Sequence, residues 1–496
     1  MDHRGQGPSG PLPPARAARS RPAQKKTSLL QNLNGLLDRA LAASPQPARH
    51  AAHALAQLVA LGRHTLTGLL TAQNRQQHDW TADYRFYSHG RAHAHTLFTT
   101  ARQQVEAALP ADAPLVVGVD DSLLPKTGRR IPGTAWRCDP LGPPFQVQFT
   151  WAQRVLQFSA AHPLGPEGAV RLVPIDFVHA PTPAKPRKGA DAPTQAAYVE
   201  AAKQANLVAL AQRRLADLRA HVSAERKIHV VGDGRYSNKT LLRHRPPGTV
   251  YVGRIRKDSA LFHPPPAQMA TGRKRIYGAR ALTPEQLRQA DDQSWQTVRA
   301  YACGKGHEFQ VKVLADVRSP LCGKDPVQVV VIAPLGYRPR RGSKLLYRQP
   351  AYLLCTDPTL AVAQVVQEYL WRWDVEVNFR EEKTLLGVGQ AQVRVPASVE
   401  AVPALAVGAY ALRQLAALDT YGETGQPDTV PLPQWRQRHP PARATTGRLI
   451  NQLRYELWAA ALRPESLAGF TSQRRPDTKP EKLLPYLASA AFYPTN

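Results

Sequence analysis

Leucines recur every three or four residues near the start of the chain, and this spacing predicts an all-helical N-terminal domain over residues 28–110. After a proline break, residues 51–61 continue the same periodicity. A basic helical unit of this kind suits the binding of DNA ends, and it suits a scaffold or a dimerisation unit equally well. The leucines of the first run are Leu29, Leu30, Leu33, Leu36, Leu37 and Leu41.

After residue 110 the pattern changes to short apolar runs that are typical of buried strands. Two such runs, 115–119 and 227–231, enclose a block of more polar strands and a helix over 194–222. This order predicts an α/β fold that resembles a ribonuclease-H-like core, built from residues 111–256 and 357–418. The polar strands are expected at 145–151, 155–160 and 169–178, one more than that core needs.

Each of the two buried strands is followed by an aspartate. Asp120 is expected as the last residue of the first strand, and Asp233 comes just after the second. Open α/β sheets place ligands at the carboxyl ends of their strands, so both carboxylates should meet in one crevice. Asp121 is the rival for the first position, because neighbouring residues of a strand point to opposite faces; we favour Asp120.

The remaining segments are predicted to surround this core. Residues 257–356 alternate apolar and polar positions, as antiparallel strands do, and form a β-rich insertion with basic loops. The apolar segment 401–418 is expected to pack on the core as a helix. Residues 419–496 contain a Pro-rich linker and a C-terminal helical region.

A long helix is predicted to start at Asp357, with the carboxylate as N-cap and Pro358 at the first helical position. With no further Pro or Gly before residue 387, about eight turns are expected. Four unlike residues share one face within about 60° of arc. An ordinary solvated face with i,i+4 ion pairs is the competing interpretation. The four residues are Tyr369, Arg372, Glu376 and Lys383.

Composition adds a strong positive charge to this pattern. The chain has 496 residues and 65 Lys and Arg against 37 Asp and Glu, a net charge of +28. Such an excess favours a polyanion as partner, and double-stranded DNA is the first candidate. Residues 1–27 are predicted to be a disordered basic arm that touches phosphates. A non-catalytic RNA- or DNA-packaging protein would explain the charge alone.

Other classes of protein are disfavoured by the sequence. The four cysteines are scattered without a CxxC pair, which argues against a zinc site and favours reduced thiols. The chain has no run of 18 or more apolar residues and its start has no apolar signal region, so no membrane association is expected. The expected location is the cytoplasm, in association with the bacterial nucleoid.

Carboxylates from separate elements that converge are the requirement for two-metal phosphodiester chemistry. Asp120, Asp233 and Glu376 would supply the set. Hard oxygen ligands of this kind select two Mg²⁺ or Mn²⁺ ions.

The spacing Tyr369-x2-Arg372-x3-Glu376-x6-Lys383 resembles the YREK signature of DDE transposases of the insertion-sequence family numbered four. The segments 119–128 and 232–238 resemble the first and second Asp blocks of that family. The resemblance covers about residues 120–390, and the β-rich insertion before the glutamate also matches.

The resemblance implies a cut-and-paste DNA transposase with a catalytic triad of Asp120, Asp233 and Glu376. It implies strand cleavage at transposon ends and strand transfer, with or without a hairpin intermediate, in a homodimeric synaptic complex. Tyr369, Arg372 and Lys383 would hold phosphates, and Arg380 would assist. The alternative is a ribonuclease-H-like nuclease, or a domesticated DNA-binding relative without integration activity.

Overall fold

The chain folds as a mixed α/β structure, which a computed structural model describes for residues 27–462 apart from a few short gaps. The predicted basic arm, except Thr27, and the C-terminal residues 463–496 lie outside the described residues. The gaps are 140–141, 143–144, 166–167, 267–273, 339, 341, 428–431 and 433.

Five helices form the N-terminal part of the structure. Ser28 caps the first helix through a capping box with Gln31, which satisfies two helix-terminal N–H groups. Five of the six leucines of this helix, all except Leu30, are buried, and the helix packs against the long apolar helix of residues 396–421 described below. The five are α1 (Leu29–Leu41), α2 (Pro47–Val59), α3 (Leu66–Ala72), α4 (Thr81–Ser88) and α5 (His95–Ala108).

The centre of the molecule is a ten-stranded mixed sheet. Its first half is made of β1 (Leu115–Pro125), β2 (Ala135–Cys138), β3 (Phe149–Pro163), β4 (Val170–His179), β5 (Ile228–Gly232) and β6 (Thr249–Arg254). Strand β3 pairs antiparallel with β1, β2 and β4, whereas β5 is parallel to both β1 and β6. The helices between β4 and β6 are α6 (Ala192–Gln204), α7 (Leu207–His221) and α8 (Lys239–Arg243).

Three predictions about the elements of this half are wrong. Strand β1 continues past Asp120 to Pro125, because β3 goes on pairing with it as far as the Pro125 and Ala152 pair. That same long strand, β3, replaces the two strands predicted at 145–151 and 155–160. The predicted helix over 194–222 is two helices, because α6 ends at Gln204 and the side chain of Asn206 caps the start of α7.

The strands of the predicted insertion extend the same sheet beyond β6. They are β7 (Gln296–Ala302), β8 (Lys305–Arg318), β9 (Pro326–Ile332) and β12 (Ala351–Cys355), and β12 pairs antiparallel with β6. The insertion also contains α9 (Pro284–Gln289) and a small two-stranded sheet of β10 (Gly336–Tyr337) and β11 (Leu346–Tyr347). Hydrogen bonding through β12 therefore makes the insertion strands continuous with the central sheet.

The predicted long helix starts four residues late and is interrupted once. Asp357 caps a turn by accepting from the Thr359 N–H at 3.0 Å, and the helix α10 (Val362–Trp371) begins after Ala361. Arg372 then separates α10 from α11 (Trp373–Thr384). This break matters because Arg372 is one of the predicted site residues.

Helix α12 (Pro396–Tyr421) lies in the core between the N-terminal helices and the sheet. Among the described residues it is the one helix long and apolar enough to cross a bilayer, but 83% of its most apolar window is buried inside the protein. Burial in the core accounts for that apolar composition. Two helices follow, α13 (Gln434–Gln437) and α14 (Thr446–Leu462).

Candidate active site

Parallel pairing of β1 with β5 brings the first two predicted carboxylates together. The register runs from Leu115 beside Ile228 to Val119 beside Gly232. Asp120 is the next residue of β1, and Asp233 is the first residue after β5. The parallel register thus brings the two predicted carboxylates to the same end of the β1–β5 ladder.

Helix α11 crosses β1 at Gly118, where a side chain would not fit. A Cβ atom on Gly118 would lie 2.7 Å from the Val375 Cγ2 atom and 3.9 Å from the Arg372 Cα atom. Because alternate strand residues share a face, Asp120 and Ser122 lie on the side of β1 that faces this helix. Gly118 thus allows the start of α11 to stand close to the first carboxylate.

Arg372 joins the helix carboxylate to the strand carboxylate. Its Nη1 atom lies 3.0 Å from Asp120 Oδ2, and its Nη2 atom lies 2.9 Å from Glu376 Oε1. The Arg372 side chain is only 11% exposed, and its guanidinium carbon lies 5.8 Å from the centre of the Tyr369 ring. Asp120 and Glu376, which are 256 residues apart in the sequence, are separated in space by the width of one guanidinium.

The other predicted phosphate contacts lie farther along α11. Lys383 Nζ donates a hydrogen bond to Ser122 Oγ at 2.5 Å, so it reaches the same face of β1 as Asp120. Burial lowers the pKa of Lys383. Arg380 has an exposed side chain. The predicted stripe therefore borders the carboxylates with three of its members, Arg372, Glu376 and Lys383, and Tyr369 stacks behind Arg372.

Asp121 lies on the opposite face of β1 and has partners of its own. Its carboxylate accepts a hydrogen bond from the Tyr236 hydroxyl at 3.1 Å and forms an ion pair with Arg235, whose Nη1 atom lies 3.4 Å away. Tyr236 is fully buried. Both partners lie in the segment 232–238 that resembles the second Asp block. Their contact with Asp121 has no signal in the sequence, because only the fold shows which strand they meet.

The electrostatics of the site depend on burial and crowded negative charge. Burial raises the pKa of Asp120 to about 7; Arg372 and the Asp121 N–H oppose this rise, and the charges of Asp233 and Asp121 add to it. Burial also raises the pKa of Asp121, against the effect of Arg235 and Tyr236. A cation bound beside Asp120 would oppose the rise in its pKa, because a nearby positive charge favours the ionised carboxylate.

The residues fit a hard divalent cation by donor chemistry. Asp120, Asp233 and Glu376 offer carboxylate oxygens, the ligands that Mg²⁺ and Mn²⁺ prefer. Within the part of the chain that the structure describes, no group of three or more His, Cys, Asp or Glu side chains is already close enough to hold a metal ion. Arg372 instead provides the positive charge between Asp120 and Glu376.

Two buried polar pairs behind the site have no periodic signal in the sequence. Gln157, the cross-strand neighbour of Asp120, donates to Glu382 Oε1 at 3.0 Å, and burial raises the pKa of Glu382 to about 8. His229 of β5 lies 2.8 Å from the fully buried Glu368, the residue before Tyr369. These pairs fix α10 and α11 on the sheet.

Comparison with known families identifies the family of the chain. The family model for the DDE superfamily endonuclease matches residues 37–307, which is more than half of the chain. The chain belongs to the DDE superfamily endonuclease family. The matched span contains Asp120 and Asp233 and ends before Glu376. No curated protein matches the sequence.

Membership makes the protein a nuclease-type enzyme related to the DDE transposases, and it implies DNA as the substrate. Divalent metal ions are the general cofactors of this DDE superfamily endonuclease family. The mixed α/β fold is consistent with a DDE nuclease.

Proposed function

We propose that this DDE superfamily endonuclease is a DNA transposase that cuts DNA at transposon ends and joins the freed 3′ ends to a target. The observation that carries the proposal is the contact of one guanidinium, that of Arg372, with both Asp120 and Glu376. An ordinary solvated helix face would not place its arginine, only 11% exposed, against a strand carboxylate 252 residues away.

The strand order supports a ribonuclease-H-like core for this activity. The order β4-β3-β1-β5-β6, with β3 antiparallel and β5 and β6 parallel to β1, puts the first and fourth core strands side by side. The short β2 is the additional strand at the edge. This order supports the ribonuclease-H-like core that the apolar runs of the sequence predict.

Asp120, Asp233 and Glu376 are the proposed ligands of two Mg²⁺ or Mn²⁺ ions, with Asp120 preferred to Asp121 because it shares a face with Glu376. Bound ions of this type activate water and stabilise the attacking and leaving oxygens of a phosphodiester. Arg372 and Lys383 hold phosphates beside the carboxylates, Tyr369 orients Arg372, and Arg380 meets the DNA from the exposed side of α11.

The spacing of these residues supports the insertion-sequence family numbered four as the transposase type. Action as a homodimer on two DNA ends, and a cytoplasmic location with the nucleoid, belong to the same proposal. The net charge of +28 supports a DNA partner.

The test is incubation of the purified protein with the DNA that flanks its own reading frame, with Mg²⁺, followed by mapping of the cut strands. We expect cuts at the element ends in the wild type. We expect none in Asp120→Asn, Asp233→Asn or Glu376→Gln, with DNA binding retained. Cleavage at full rate by any of the three variants would refute the assignment of that carboxylate.

A further inference from the structure

A second cluster of charged residues lies on the face of β1 that is turned away from α11, and the proposed catalysis does not use it. Asp121 and Leu123 of β1 pair with Leu156 and Arg154 of β3, and Arg137 of β2 pairs with Thr150. Paired residues of antiparallel strands share a face, as do residues two apart. Arg137 and Arg154 therefore lie on the same face as Asp121.

Arg235 completes this cluster from the loop after β5. Its Nη1 atom lies 3.4 Å from Asp121 Oδ2, and the Tyr236 hydroxyl holds the other Asp121 oxygen. The Arg235 side chain is 53% exposed, whereas Asp121 is 14% exposed. We call Arg137, Arg154 and Arg235 the arginine cluster; Asp121 is the carboxylate on which all three act.

The arginines of the arginine cluster repel one another. Burial lowers the pKa of Arg137 to about 10, and repulsion from Arg154 contributes. Burial likewise lowers the pKa of Arg154, with repulsion from Arg235 contributing. Three guanidiniums gather around one carboxylate, Asp121, in a half-buried place, and such a place favours the binding of a further anion.

The hydrogen-bonding capacity of the cluster is also largely unused. Among the described residues, Arg154 donates one side-chain hydrogen bond, to the Ala205 carbonyl at 3.4 Å, and Arg137 donates one, to the Thr182 hydroxyl. The Nε atoms of both are buried without a partner in that same part of the chain. A guanidinium has five N–H donors in a planar fork that matches the oxygens of a phosphate.

We propose that the arginine cluster binds a backbone phosphate of the DNA on the face of β1 opposite to Arg372 and Lys383, and that Asp121 positions the arginines rather than a metal ion. This inference rests on the proposed function for its substrate. It gives the strand that carries the first catalytic carboxylate a phosphate contact on each face. The DNA is thereby held on both sides of the cleavage site.

The test measures how the affinity for a short labelled duplex depends on salt, with EDTA present so that no cleavage occurs. Each lost phosphate contact lowers the slope of log K against log salt by about 0.9. We expect that loss, with weaker binding, in Arg154→Gln and in Arg235→Gln. Because the Arg235 side chain is exposed, its replacement should leave the fold intact. Arg154→Lys keeps the charge and should keep the slope.

Arg256→Gln is the matched control, because Arg256 is 86% exposed and already paired with Asp258. Its slope should equal that of the wild type. An equal loss of slope in this control would show a general charge effect and overturn the site. Unchanged slopes in folded Arg154→Gln and Arg235→Gln would also overturn it. So would stabilisation by inorganic phosphate that depends on Arg154 while the DNA slopes stay the same, since the site would then take free phosphate.

Failure of the proposed function is distinguishable from failure of this inference. A wild type that cuts no DNA with Mg²⁺ while the cluster variants lose slope would remove the transposase proposal and support the phosphate site. A wild type that cuts normally, with variants that bind DNA like the wild type, would support the transposase proposal and remove the phosphate site.

Discussion

Gly118→Ala should separate the catalytic helix from the catalytic strand. The new methyl group would lie 2.7 Å from Val375 Cγ2, whereas ordinary contacts of a Cβ atom begin at 3.4 Å. With Leu172 Cδ1 at 3.2 Å on the same side, we expect α11 to move away by about 0.7 Å to restore an ordinary contact. Arg372 and Glu376 move with it, and a displacement of about 1 Å can lower the rate of a positioned reaction by about 10²-fold.

The assay is Mg²⁺-dependent cleavage of the flanking DNA, with thermal unfolding of the same samples. We expect a large loss of cleavage with DNA binding retained, and partial recovery in Gly118→Ala/Val375→Ala, which removes the clashing methyl. Gly35→Ala is the control, because no atom lies within 4 Å of that Cβ position and α1 gains a better helix former. Wild-type cleavage by Gly118→Ala would refute the claim that this close approach positions Glu376.

Three further predictions follow from the same geometry. Arg372→Ala should reduce cleavage and weaken DNA binding, and it should lower the salt slope by about 0.9; an unchanged slope in binding measurements would argue against a phosphate contact. Asp120→Asn should abolish cleavage, whereas Asp121→Asn should cause a smaller loss; equal losses in side-by-side rate measurements would make Asp121 a candidate ligand again. Burial raises the pKa of Glu382 to about 8, so the folded protein retains a proton that the unfolded chain loses above its ordinary value of 4.5, and stability falls as pH rises between these values. Glu382→Gln cannot lose this proton, so its free energy of unfolding in urea should rise relative to that of the wild type as pH increases. The difference should grow by no more than about 1.4 kcal/mol per pH unit. A constant difference from pH 5 to 8 would contradict this prediction.

The apolar pattern predicted the order of elements well, because the buried positions of a helix or strand are visible within a short stretch of sequence. The runs at 115–119 and 227–231 are buried strands, and the periodic leucines of α1 face the core. The ends of the helices and strands were harder to predict from the sequence. Strand β1 extends to Pro125 since β3 supplies a partner there, and that partner lies some thirty residues away in the chain. Asp357 looked like a helix cap, yet its carboxylate closes a local turn with Thr359 instead.

By itself the sequence determined which residue types carry the chemistry and in what order they occur: an aspartate after each of two apolar runs, then a glutamate among cations on a helix. Only the tertiary structure decided which of them meet. Alternation along β1 sends Asp120 toward Arg372 and Asp121 toward Arg235, and a missing side chain at Gly118 admits α11. Contacts between residues more than a hundred positions apart leave no periodic trace in a sequence, because they depend on strand register and helix approach.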